Sequence, residues 1–430
     1  MNRSLLLVLA AACEPEPDAL TRADALDPES CASCHAAHVE QWRASTHARA
    51  ARDPVFLAMN TRYVRETGSQ DPMLCVRCHA PLAVQSGMLP DPTALADLPE
   101  GLDGVGCMAC HGVEAVTGTH NAALRLSDDT MMQGGIADPI DTPAHPSTWS
   151  PLLDGDAPEA SSTCGACHDV VMPGDLHLER TYAEWQDSVF DTTGPARLGC
   201  GHCHMPGAPG LAAPTGPERR IHDHTMPGVS VHRGDELHAA AVQRALDSSI
   251  SATLCVRPAS AGAEILLSLE NVAAGHGFPS GAAKNRRVWV ELVATAGGEE
   301  LIRSGTFAPD QAVTGSPDLA ALHELAWDAS GSPTSMLWDV ADYESRALPA
   351  PSTLDPRDPA FDHSRRFTWR TSGAVPERVE ARVLVRPMAL SILDELVASG
   401  DLEPELATTP TMEVGGSVVV WEGVPGDCTE

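Results

Sequence analysis

The sequence predicts an α+β protein: an irregular, partly helical domain over residues 28–240, followed by an antiparallel β-sandwich domain over residues 241–430. Two observations carry that prediction. The pentapeptide Cys-x-x-Cys-His occurs five times in the first half, among stretches rich in Pro and Gly. Beyond residue 240 the pentapeptide disappears, and apolar residues alternate with polar ones in strand-like runs.

In chain order, residues 1–12 read as an export signal. Asn2-Arg3 gives a small positive n-region, and Ser4 to Ala12 is a short apolar run, too short to span a bilayer. It ends at Cys13, preceded by small residues, in the manner of a bacterial lipoprotein signal. Cys13 is therefore expected to be lipidated; the alternative is cleavage after an Ala, leaving Cys13 free. Residues 13–27, opening Glu14-Pro15-Glu16-Pro17, read as an exposed tether.

The five pentapeptides are Cys31-x-x-Cys34-His35, Cys75-x-x-Cys78-His79, Cys107-x-x-Cys110-His111, Cys164-x-x-Cys167-His168 and Cys200-x-x-Cys203-His204. At this chain's Cys and His frequencies about 0.02 such matches are expected by chance. The spacing is that of c-type haem attachment: two thiols add across the vinyl groups, and the adjacent imidazole becomes an axial iron ligand. Zinc knuckles or redox dithiols also use Cys-x-x-Cys, but give no reason for a His after every second Cys. Five covalently bound c-type haems are expected. With about 35 residues per motif, side chains alone cannot surround each haem, so the haems themselves serve as core.

Leu89 to Gly106, Pro151 to Thr163 and Gly207 to Pro217 read as irregular connections. Val39 to Ala51 is a candidate helix. Thr181-Tyr-Ala-Glu184 reads as a capping box opening another helix through Phe190, with Trp185 and Val189 on one face. In the second half, strands are expected around Ile265-Leu267-Leu269, Val288-Val290-Leu292, Val379-Ala381-Val383-Val385 and Ser417 to Trp421, with one helix from Met388 to Ser399. Seven or eight strands suit a sandwich. Of the 13 cysteines, Cys255 and Cys428 remain after the haem motifs and Cys13, and form a candidate disulfide; two separate buried thiols are the alternative.

Against 28 Lys plus Arg stand 59 Asp plus Glu, a formal charge of −31. Nucleic acid and anionic membrane surfaces are disfavoured as partners. Other redox proteins, basic or membrane-bound, are favoured, with the membrane reached by a lipid anchor only. Lys284 is the only lysine, so no Cys-x-x-Cys-Lys variant of the motif is present.

The segments Cys31-x-x-Cys34-His35 with Trp42-Arg-Ala-Ser45-Thr-His47, Cys107-x-x-Cys110-His111-Gly112 with His120, and Cys200-x-x-Cys203-His204-Met205-Pro206 resemble the multihaem cytochromes of the cytochrome c-554 type. These are relatives of the octahaem hydroxylamine- and nitrite-converting enzymes. Members often carry an extra β domain with a Gly-His-x-x-Pro-x-Gly segment, matched by Gly275-His276-Gly277-Phe278-Pro279-Ser280-Gly281. The resemblance implies mostly bis-histidine haems in closely spaced pairs. It suggests His47, His120, His145 and His224 as distal ligands, each to a haem other than that of its neighbouring motif. His276, on a glycine-rich loop between two strands, completes a set of five.

The leading functional expectation is an exported cytochrome, in the periplasm or at the outer membrane or cell surface, passing single electrons through five haems between redox partners. The second is a redox enzyme acting on a small nitrogen or sulfur compound at one five-coordinate haem. The third makes the β domain a docking module with the haems as accessories.

Overall fold

Alternation of apolar and polar residues builds the second half. In the computed structural model, which describes residues 19–68, 71–192, 194, 197–231, 234–315, 318–426 and 428, this region holds three antiparallel sheets: the two-stranded pair Glu324–Trp327 with Asp342–Ser345, and two larger ones that share a core. The smaller is three-stranded, with Gly262–Asn271 between Ser364–Arg370 and Ile250–Ala259. The larger runs Glu299–Ser304, Arg287–Ala296, Arg378–Arg386, Met412–Glu422, with the short Ala321–Leu322 also pairing to Arg287–Ala296. All four predicted strand runs lie in these sheets. Their inward positions, among them Ile265, Leu267, Leu269, Val290, Leu292, Val383 and Val385, form one buried core. Opposed sheets hide those side chains from water, at roughly 25 cal/mol per Å² of apolar surface. The predicted helix spans Leu390–Ala398, and Gly400, at φ +77°, stands in the left-handed conformation that ends such a helix. A disulfide joins Cys255 to Cys428, Cα to Cα 5.8 Å, across a sequence separation of 173.

The first half is different in kind. Its helices are short, its two-stranded sheets are scattered, and its buried side chains fall into small separate clusters. Two sequence expectations change here. The helix expected over Val39 to Ala51 begins earlier, at Ala32–Ala44, and Ser45 ends it, with a 3-10 turn at His47–Arg49 beyond. The tether expected to reach residue 27 is partly folded: Thr21 and Asp24 form a capping box, Arg22–Leu26 is helical, and Ala25 is buried against Val76 and Met108. Residues 1–12, Cys13 and the tether's first part lie outside the described residues.

The halves are packed together. Pro54–Thr67 lies against Leu390–Ala398, with Arg65 bound to Asp401 at 2.5 Å and Ala58 among Ile392, Leu393 and Leu396. The helix Glu236–Ser249 runs through residue 240, where the domain boundary was expected, and leads directly into the first strand of the β region. Among the described residues, no helix is long and apolar enough to cross a membrane.

Candidate multihaem centre

Three of the five motifs occupy a single helical turn each, Leu74–His79, Cys107–His111 and Cys200–His204; the first motif lies where a 3-10 turn meets Ala32–Ala44. A helical turn brings residues three apart onto one side, so the two thiols of a motif face the same way with the imidazole beside them. None of the ten motif cysteines is in a disulfide. Motifs adjoin one another: Cys78 Sγ lies 3.9 Å from Cys167 O, and Cys200 N donates to Ser161 Oγ at 2.9 Å on the helix that carries Cys164.

A haem iron needs a neutral imidazole with one nitrogen free and the ring oriented by the other. Four of the five motif imidazoles are held that way. Nδ1 of His35 donates to Ala212 O (2.7 Å), His79 to Ala50 O (2.8 Å), His111 to Gln133 O (2.7 Å) and His204 to Pro227 O (2.7 Å). Each bond leaves Nε2 for metal. Burial keeps the rings uncharged: it pushes His79, His111 and His168 down, and His204 down to about 4.

The opposite sides are supplied by other segments. A metal bridged by two imidazoles, with bonds of about 2.0 Å and about 1.1 Å more to each ring centre, sets the centres about 6.2 Å apart. His35 and His145 stand 5.8 Å apart, His168 and His47 6.1 Å, His111 and His224 6.4 Å, and His204 and His276 6.3 Å. Burial drives both His47 and His224 down to about 3, and the buried Nδ1 of His47 has no hydrogen-bond partner among the described residues. His224 and His276 each tie Nδ1 to a carbonyl, of His222 and Gly277. The donor set fits haem. His38, three residues after His35 on the same helix, packs edge-on against His224 at 4.8 Å.

His120 is not brought to a motif imidazole. Its loop passes through Asn121 and Ala122, both at positive φ, and is fixed by Asn121 N to Asp169 O and Ala122 N to Ala166 O. The His120 ring then faces His177, on an exposed hairpin, at 6.3 Å. His79 correspondingly stands apart: its ring is stacked by Phe56 at 3.8 Å and 6°.

The loop that carries His276 is held by the haem region. Glu184 accepts from Gly277 N (3.0 Å) and Ser280 Oγ (2.5 Å), and Thr181 Oγ1 meets Ser280 Oγ at 2.8 Å. The capping box expected from Thr181 and Glu184 is therefore absent. The helix spans Thr181–Gln186, and Asp169 Oδ1 takes over as acceptor for Tyr182 N (2.8 Å). Trp185 and Val189 are buried as expected. Sequence reasoning did not find the buried pair of Lys284 and Glu324, 3.4 Å apart, in which Lys284 also donates to Leu178 O. The isolation of Lys284 as the sole lysine was the available signal.

Residues 30–112 match the family model described as cytochrome c554 and c-prime. The structure is similar to that of a penta-heme cytochrome c552 from Thermochromatium tepidum, with a TM-score of 0.66 at 20% identity, covering 93% of this chain and 99% of that one. No curated protein matches the chain. The family match spans the first three motifs and the shared fold nearly the whole chain; together they support a multihaem c-type cytochrome.

Proposed function

We propose that this chain is an exported electron carrier that passes single electrons through five c-type haems between redox partners. The observation that carries the reading is the set of four motif imidazoles, each opposed by a second imidazole at the distance an iron would bridge. Iron held by two histidines has no place for substrate and cycles between two charge states with little rearrangement. The residues that would hold the irons are His35 with His145, His111 with His224, His168 with His47, and His204 with His276. Cys31, Cys34, Cys75, Cys78, Cys107, Cys110, Cys164, Cys167, Cys200 and Cys203 are the thioether donors. Export and a lipid on Cys13 belong to the same proposal, since c-type haem is attached outside the bacterial cytoplasm.

The chain's own residues hold the rings and keep them neutral; the bound haems supply the electron-accepting iron. A pyridine haemochrome assay should give five haems per chain, and two or fewer would overturn the reading. Low-temperature EPR of the oxidised protein should show four low-spin haems of bis-histidine type.

The stacking of Phe56 on His79 favours a second reading for one haem only: chemistry on a small nitrogen or sulfur compound at the haem of Cys75 and Cys78. Under that reading the fifth haem is high-spin and takes up added cyanide. A fifth low-spin, cyanide-indifferent haem leaves only the carrier.

A further inference from the structure

We propose that the surface beside the first motif is where a basic redox protein docks to exchange electrons with this chain; the proposal rests on the carrier reading above. The first motif is open to solvent: only Cys34 and Cys203 among the ten motif thiols are exposed.

Two segments flank His35 of the first motif. One is the loop leading to Ser147–Trp149, which carries His145; the other follows the Gly207–Leu211 strand, where Ala212 O receives the His35 ring. Both expose large apolar side chains: Ile140 at 59%, Trp149 at 43% and Leu211 at 52%. The segments are braced into one surface. Arg219, opposite Gly210 in the neighbouring strand, reaches Asp138 at 2.8 Å, and Ser147 Oγ donates to Ile140 O. Apolar side chains held out on a fixed framework next to a cofactor edge suit a protein contact of the small, transient type.

Charge chooses the occupant. The nearby cations are engaged, Arg219 with Asp138 and Arg220 with Asp156. Asp141 stands beside His145, and Glu218 beside Leu211, without such a counter-ion among the described residues. On a chain of formal charge −31, this gives an apolar centre with an acidic rim. The complement is an apolar patch ringed by lysines around an exposed cofactor edge. Opposite charge speeds such encounters, and salt slows them.

The test mixes the dithionite-reduced holoprotein with an oxidised, lysine-rich small cytochrome c in a stopped-flow spectrometer, at low and high salt. We expect the second-order rate to fall with salt. Ile140→Ser with Trp149→Ser should lower it at least tenfold, while the rate with hexaammineruthenium(III), which needs no docking surface, stays unchanged. Asp141→Lys with Glu218→Lys should slow the reaction and flatten its salt dependence. Val418→Ser with Val420→Ser, exposed on the strand Met412–Glu422 of the β region, serves as control and should change nothing. Patch variants as fast as the wild type would overturn the proposal, as would a control pair that slows the reaction equally. So would a wild-type protein that reacts with the ruthenium complex but not the cytochrome, or one that dimerises through these residues. Failure to react with either acceptor, with haems in place, sinks the carrier reading itself.

Discussion

Replacing His276 by Ala isolates the contribution of the β region to the haems. The ring stands 6.3 Å and 15° from His204, close to the roughly 6.2 Å that an iron between two imidazoles requires. The loop does not depend on that ring for its place. His276 O accepts from Asn271 Nδ2 at 2.7 Å, Gly277 N donates to Glu184, Ser280 bonds to Glu184 and Thr181, and Phe278 N donates to Leu348 O at 2.9 Å. Arg286 Nε adds a bond to Ser280 O. The substitution therefore removes one ligand and the internal bond to Gly277 O, while the main chain stays where it is. The haem count should hold at five, since attachment uses Cys200 and Cys203. One haem in five should turn high-spin, read by integrating the EPR signal of the oxidised protein. Added imidazole, fitting the space left by the ring, should return that haem to low spin. An entirely low-spin spectrum from His276→Ala would refute the geometric assignment. So would conversion of two or more haems, since the loop would then be a structural keystone.

Three further outcomes follow from the same structure. Closing a loop of 173 residues restricts the unfolded chain by about 5 kcal/mol on the chain-entropy model, so Cys255→Ser with Cys428→Ser should lower stability by up to that amount in thermal unfolding, with the haem spectrum unchanged. Lys284→Met strands the buried Glu324 carboxylate and should cost about 3–5 kcal/mol by denaturant titration, whereas Lys284→Met with Glu324→Leu should recover most of it. His120→Ala should leave every low-spin EPR signal in place and His145→Ala should convert one, because of these two only His145 faces a motif imidazole.

The β region was legible because its signals are local. Alternation over Ile265-Leu267-Leu269 or Val379 to Val385 reports which face is buried, and the two sheets bury those faces. The attachment sites were legible for a similar reason, since thiols and imidazole must lie on one short stretch of chain. The distal ligands are not local. His145 reaches His35, and His224 reaches His111, from segments far along the chain, and only the path of the backbone decides which imidazole arrives. His120 shows the consequence: it follows a motif as a ligand might, yet its loop is fastened to Ala166 and Asp169 and carries the ring toward the His177 hairpin. The early helix over Ala32–Ala44 has the same lesson in reverse, since it starts at the haem motif itself rather than after it.

The lost capping box shows how a local preference yields to the assembly. Thr181 and Glu184 have the spacing to cap a helix, and a cap is worth about 1 kcal/mol. Glu184 instead accepts two hydrogen bonds from the loop of His276, and bonds to a charged acceptor contribute about 1.5–3 kcal/mol each. Asp169 meanwhile bonds Tyr182 N, so the helix keeps an acceptor near its start. Burial lifts Asp169 to about 6, so this cap is a group the fold holds against its own solvation. The exchange is favourable as a whole: one cap is replaced from a neighbouring strand, and two strong bonds fix the loop whose imidazole faces His204. That trade accounts for a sequence that reads as a helix start and folds as a clamp, and it places the cause of the misreading at the contact between the two regions.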